Sequence, residues 1–166
     1  MERNEVSPKS QSKITAAIEE GPYYKSGSPR QTRISTEGVP GQKLILTGRV
    51  IDLQGRPVVG AWLDFWQADG NGVYDNAGYV LRGHQYTDDL GDYKLETVVP
   101  GGYAGRTPHL HVKVRAREGA PVLTTQLFIP GMSSNRSDFL FREDLQLKVK
   151  DTSAGRSANF DFIVEG

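Results

Sequence analysis

From residue 44 onward, short β-favouring runs alternate with turn residues, and this punctuation removes most folds from consideration. The runs fall at 44–50, 61–67, 93–99, 109–116, 124–129, 145–149 and 159–164. Between them lie Asp52-Leu53-Gln54-Gly55-Arg56-Pro57, Asp69-Gly70-Asn71-Gly72, Asp89-Leu90-Gly91 and Pro100-Gly101-Gly102. Glycine supplies positive φ, proline presets its own φ, and Asp or Asn bonds its neighbouring backbone, so each cluster reads as a turn. With 19 Gly and 9 Pro spaced in this way, the predicted fold is all-β. It is a β-sandwich of mostly antiparallel strands, not an alternating α/β wind. Helix is expected only as short segments, at 14–20 before Gly21-Pro22 and at 137–143. Residues 1–12 are polar and unpatterned and are expected to be mobile. The predicted organisation is a flexible N-terminal arm, 1–20, and one sandwich domain, 21–166, without internal repeats.

A chain of 166 residues can bury a substantial core. Lys plus Arg and Asp plus Glu both number 20, so bulk charge points to neither nucleic acid nor a membrane surface. The absence of cysteine excludes disulfides, thiolate zinc sites, iron–sulfur clusters and thiol catalysis. No apolar run has the length of a membrane span. Residues 1–13 lack an apolar signal core, which gives a cytoplasmic expectation.

Chemistry concentrates in Tyr103-Ala104-Gly105-Arg106-Thr107-Pro108-His109-Leu110-His111. On a strand, residues two apart share a face. His109 and His111 therefore point together, while Leu110, Val112 and Val114 fill the opposite face. Paired imidazoles on one strand face suit a metal, and two of the chain's three histidines sit here. A zinc site of two His plus a carboxylate would recruit Asp64, Asp75, Asp88 or Asp89, although Asp88 and Asp89 lie in turn-like sequence where Asp bonds locally. Tyr74 and Tyr103 stand in Gly-rich loops. A phenol becomes a phenolate ligand only beside a strong Lewis acid, a role ferric iron fills. His84 is read as a structural or surface residue. Trp62 and Trp66, four apart on a strand, are read as packing residues.

The ordered set Leu46-Thr47-Gly48-Arg49-Val50, Trp66-Gln67-Ala68-Asp69, Gly72-Val73-Tyr74 and Arg106-Thr107-Pro108-His109-Leu110-His111 resembles the intradiol ring-cleavage dioxygenases. The likeness runs from about Gly21 to the C-terminus. It implies a non-haem Fe(III) enzyme that opens a catechol with O2 between its two hydroxyl-bearing carbons to give a muconate-type diacid. By the same resemblance, Tyr74, Tyr103, His109 and His111 are the iron ligands, with Tyr103 the one released when a diol chelates. Arg106 matches the family's active-site arginine, and Gln126 falls where the family carries a glutamine near it. Tyr23 and Tyr24 follow the family's Gly-Pro-aromatic motif, and Tyr24 is taken as a substrate-lining residue. A homo-oligomer is compatible with the family.

The sequence departs from the family in three ways. The long N-terminal helical segment of catechol-type enzymes is expected to have no counterpart, since no stretch of these 166 residues matches it. Only Ala104 and Gly105 separate Tyr103 from Arg106, where catechol enzymes carry a longer insertion, so an open pocket that admits bulky catechols is expected. No residue announces a pocket for a substrate carboxylate. Two competing readings stand beside the dioxygenase: a metal-free transthyretin-like binding module, and a zinc-dependent hydrolase using His109 and His111.

Overall fold

The turn-punctuated sequence folds as two facing sheets. The computed structural model describes residues 13–166. Its strands are β1 (Lys43–Ile51), β2 (Trp62–Trp66), β3 (Arg82–Tyr86), β4 (Asp92–Val98), β5 (His109–Arg115), β6 (Val122–Phe128), β7 (Lys148–Thr152), β8 (Gly155–Asn159) and β9 (Phe162–Ile163). One sheet has the order β4-β1-β8-β7, with β9 also paired to β1, and the other has the order β3-β2-β5-β6. All pairings are antiparallel except those of β1 with β8 and with β9. The expected all-β sandwich is therefore the observed fold.

Alternation along the strands builds the core. Leu44, Leu46 and Val50 of β1 and Leu95 of β4 face Leu63 and Phe65 of β2 and Leu110, Val112 and Val114 of β5. Burying each such side chain contributes about 1.5–3 kcal/mol. The sandwich interior thus holds the fold, and the outer face of the β3-β2-β5-β6 sheet is left for other work.

Four local expectations need correction. Residues 14–20 are extended, not helical: Thr15 N–H donates to Ile163 O, and Ile18 N–H donates to Thr124 O. A helix so short cannot offset its nucleation cost, whereas Ile18 gains burial against Phe128 and Leu145. The turn expected at 137–143 is replaced by two 3-10 segments on either side, Ser133–Ser137 and Glu143–Leu145. The run at 145–149 enters β7 only at Lys148, since Leu145 and Leu147 are buried without joining that strand. The run at 159–164 is broken between β8 and β9, where Phe160 O crosses Gly48 so closely that a Cβ there would lie 1.8 Å from it.

Strand β3 was not anticipated. Its sequence, RGHQY, lacks an alternating apolar pattern, and it is held by β2 on one side and by the Arg30–His84 bridge on the other. Residues 1–12, expected to be mobile, lie outside the described residues. No helix among the described residues is long and apolar enough to cross a membrane.

Candidate active site

Strand β5 sends Leu110, Val112 and Val114 into the core and His109 and His111 to the outer face of its sheet. In register beside them stand Trp66 of β2 and Gln126 and Phe128 of β6. The Trp66 indole stacks on His111 at 4.7 Å between centroids and 11° between planes. Trp66 is thus a packing residue, as expected, and what it packs is an imidazole of the site.

Two loops bring the phenols to this face. Asp69 closes the first by accepting from the N–H groups of Asn71 and Val73 through Oδ1. Gly101 N–H donates to Asp69 O at 2.8 Å, joining the second loop to the first. The contact is backbone on backbone: a Cβ on Gly72 would lie 2.4 Å from Gly102 O, and one on Gly101 would lie 2.5 Å from Gly70 O. The second loop then turns tightly. Tyr103 and Arg106 exchange backbone hydrogen bonds, and Ala104 and Gly105 both hold positive φ, 46° and 81°. That is the backbone of a type I′ turn. The short spacer therefore sets Tyr103 and Arg106 side by side.

The four side chains meet at their donor atoms. Tyr74 Oη lies 2.8 Å from Tyr103 Oη and 2.8 Å from His111 Nε2. His109 Nε2 lies 3.1 Å from His111 Nε2 and 3.3 Å from Tyr103 Oη. Ligands held at about 2.0–2.1 Å from one first-row ion stand about 2.8–3.4 Å apart when adjacent, so the four donors fit a single ion.

Their protonation fits as well. Burial, followed by the Arg106 charge, brings His109 down to about 4. Burial and then His109 hold His111 well below the usual imidazole range. Both rings are therefore neutral at pH 7. His109 Nδ1–H donates to Thr107 O at 2.7 Å, which leaves Nε2 a lone pair. His111 Nδ1 is buried without a partner. Two phenol protons and at most one imidazole proton must serve four contacts, so lone pairs are left facing one another. Burial and the hydrogen bond with Tyr103 push the Tyr74 phenol far above its usual range. Burial also raises Tyr103, against lowering by Tyr74 and Arg106. Such phenols lose their protons to solvent only when a strongly Lewis-acidic ion binds the oxygen in their place. The donor set fits Fe(III).

It does not fit the zinc hydrolase. Among the described residues no cluster of three His, Cys, Asp or Glu side chains forms. Asp64 accepts instead from Tyr24 Oη and Ser28 Oγ, each at 2.8 Å. Asp75 and Asp88 accept from backbone amides in their own turns. His84 is structural, its Nδ1 bonded to Ser28.

Arg106 borders the donors with its guanidinium doubly held. Nε–H donates to Asp138 Oδ2 at 2.8 Å, and Nη2–H donates to Gln126 Oε1 at 2.5 Å. Gln126 is buried and donates in turn to Glu19 O. Tyr24 and Tyr23 divide the aromatic motif. Tyr24 sends its hydroxyl to Asp64 and its ring against Trp66, while Tyr23 stacks on Tyr74 at 4.3 Å. Arg82, buried within β3, donates to Tyr23 O and Asp75 O and so ties that stacked pair together. Sequence reasoning did not single out Tyr23, Arg82 or Asp138. Of these only Tyr23 carries any signal, through the Gly-Pro-Tyr-Tyr motif, in which Tyr24 is the expected substrate-lining residue.

Known proteins are similar to this chain in sequence and fold. The family model described as Dioxygenase matches residues 19–166. A catechol 1,2-dioxygenase from Acinetobacter baylyi is 28% identical over 74% of this chain and 48% of its own length. A hydroxyquinol 1,2-dioxygenase from a Rhizobium species is 32% identical over 73% of this chain and 50% of its own. The chain thus spans about half the length of these curated relatives. The solved dioxygenase domain of a dioxygenase and carbohydrate-binding protein fusion from Streptomyces sp. SirexAA-E superposes with a TM-score of 0.89. It is 44% identical, covering 92% of this chain and 99% of that one. With the match extending over nearly every described residue, this chain belongs to the intradiol ring-cleavage dioxygenase family.

Proposed function

We propose that this chain opens the ring of a catechol-type diol with O2, between the two hydroxyl-bearing carbons, as a non-haem Fe(III) dioxygenase that yields a muconate-type diacid. The observation that carries this reading is the convergence of two phenol oxygens and two neutral imidazole nitrogens within 3.3 Å, beside a held arginine. A ferric ion held there would supply a Lewis acid that the diol can chelate and that draws electron density from the ring, so that the substrate reacts with O2.

The chain's own residues divide the remaining work. Tyr103 Oη, half-buried and 3.3 Å from His109, is the least enclosed donor, and as the phenolate it would become on the ion it is placed to take a proton from an arriving diol. Arg106 offers a fixed positive charge to an electron-rich ring. Trp66 and Phe128, both buried, keep water from the imidazole side. Thr107 O fixes the His109 tautomer. No binding-module reading requires a lone-pair-rich donor cluster of this kind.

A visible spectrum tests the proposal. Protein purified in air and assayed for iron should show a broad tyrosinate-to-Fe(III) band. Catechol added without oxygen should move that band to longer wavelength. A protein that stays colourless after ferric reconstitution would reject the dioxygenase.

The open side of the site bears on substrate choice. Ala104 and Gly105 are exposed at the tip of a two-residue turn, and no insertion there extends over Arg106. We expect a bulky ring-substituted catechol to be turned over with a kcat/KM within about tenfold of catechol itself, since no added wall penalises its substituent. Comparing catechol, protocatechuate and a bulky catechol decides this. A preference for plain catechol of a hundredfold or more would mean that other residues close the pocket.

A further inference from the structure

Asp138 lies 32 residues from Arg106 in sequence, within the segment that links the two 3-10 turns. Its side chain is fully buried. Oδ2 accepts from Arg106 Nε–H and from Thr107 N–H, both at 2.8 Å, and Oδ1 accepts from Leu140 N–H at 2.9 Å. Burial alone would raise this carboxyl, but the Arg106 hydrogen bond and the two amides hold it below its ordinary value. It is ionised and enclosed, and it accepts three hydrogen bonds.

One carboxylate oxygen therefore grips two successive residues of the site. Through Nε it fixes the plane of the Arg106 guanidinium, which leaves Nη2 for Gln126. Through Thr107 N–H it fixes the peptide unit before the carbonyl that receives His109 Nδ1–H. An arginine flanking a type I′ turn would otherwise sweep many rotamers, and charge stabilisation depends on where the charge is held.

We propose that Asp138 is a positioning residue that aims Arg106 at the ring being cleaved, an assignment that rests on the dioxygenase reading above. The substitution that isolates this role is Asp138→Asn, which keeps the size. An amide has one accepting oxygen, so whichever way Asn is turned an N–H2 group faces either Leu140 N–H or the Arg106 and Thr107 donors. The neutral side chain also withdraws the ion pair.

The test is a kinetic split joined to a direct view of Arg106. Asp138→Asn should retain wild-type iron content and charge-transfer band. Its KM for catechol should stay within threefold, while kcat falls by about 10²-fold. In an Arg106→Gln background the same change should lower kcat far less than in wild type, by no more than about fivefold, because only the Thr107 N–H contact is left for it to act through. By 15N NMR, the Arg106 Nε–H signal should be protected from solvent exchange in wild type and exchange freely in Asp138→Asn. A kcat within twofold of wild type, a loss that simply tracks lost iron, or a signal still protected in the variant overturns the proposal. If wild type turns over no catechol, the dioxygenase reading fails separately and the NMR signal alone decides whether Asp138 holds Arg106. Should the variant not fold, the wild-type signal still decides: an Arg106 Nε–H that exchanges as fast as that of exposed Arg136 overturns the assignment.

Discussion

His111→Ala is expected to lose iron and ring cleavage together while leaving the metal-free fold nearly as stable. His111 Nε2 stands between Tyr74 Oη at 2.8 Å and His109 Nε2 at 3.1 Å. Removing it takes one of four donors, and even a residue that merely supports a metal ligand is worth about 10–100-fold in affinity. The effect on the metal-free fold is a near balance. Loss of the Trp66 stack costs about 0.5–1.5 kcal/mol, and the cavity adds to it. Against this, the variant no longer buries the partnerless Nδ1, which relieves about 1–3 kcal/mol. Iron stoichiometry after dialysis, catechol-dependent O2 uptake and the Tm of the metal-free protein separate the effects. His109→Ala should match it in activity. Wild-type-like turnover in either variant would end the ligand assignment.

Gly72→Ala should damage the same site from the backbone. Gly72 has φ +81°, where an L side chain is strained by about 1–2 kcal/mol. Its added Cβ would also meet Gly102 O at 2.4 Å. Relief requires the Tyr74 loop to move off the Tyr103 loop. A stability loss on the order of 2–4 kcal/mol is expected. A displacement of about 1 Å between the two phenols suffices for a further 10²-fold loss of turnover. Gly55→Ala is the control: its φ is +80° and a Cβ there meets nothing within 4 Å. That variant should show the strain alone and keep its iron and band. If Gly72→Ala behaves like Gly55→Ala, the loop contact does not set the phenol spacing.

These two variants mark different kinds of legibility. The pairing of His109 with His111 was readable because a strand's period of two is local, and the buried run Leu110, Val112 and Val114 confirms the same period. The two tyrosines were readable as members of Gly-rich loops, and the family resemblance named them as ligands. Their 2.8 Å approach was not readable, since it depends on bare backbone at Gly72 and Gly101 meeting another loop about thirty residues away. Strand β3 escaped notice because its residues are chosen for neighbours, not for periodicity. Arg82 serves Tyr23 and Asp75, His84 serves Ser28, and Gln85 serves Lys94.

The choice between Tyr23 and Tyr24 shows the same division. Adjacent residues in an extended segment point apart, so Tyr23 stacks on Tyr74 while Tyr24 packs its ring on Trp66 and bonds Asp64, a division set by where those partners fold. Sequence alone determined the all-β class, the strand that carries the imidazoles, and the residue types able to hold a ferric ion, because these follow from period, turn chemistry and motif order within short stretches. Tertiary structure alone decided which phenol faces which imidazole, and which carboxylate grips Arg106. Those contacts join segments brought together by the packing of two sheets, and no local pattern in the chain encodes a hydrogen bond whose partner is 32 residues away.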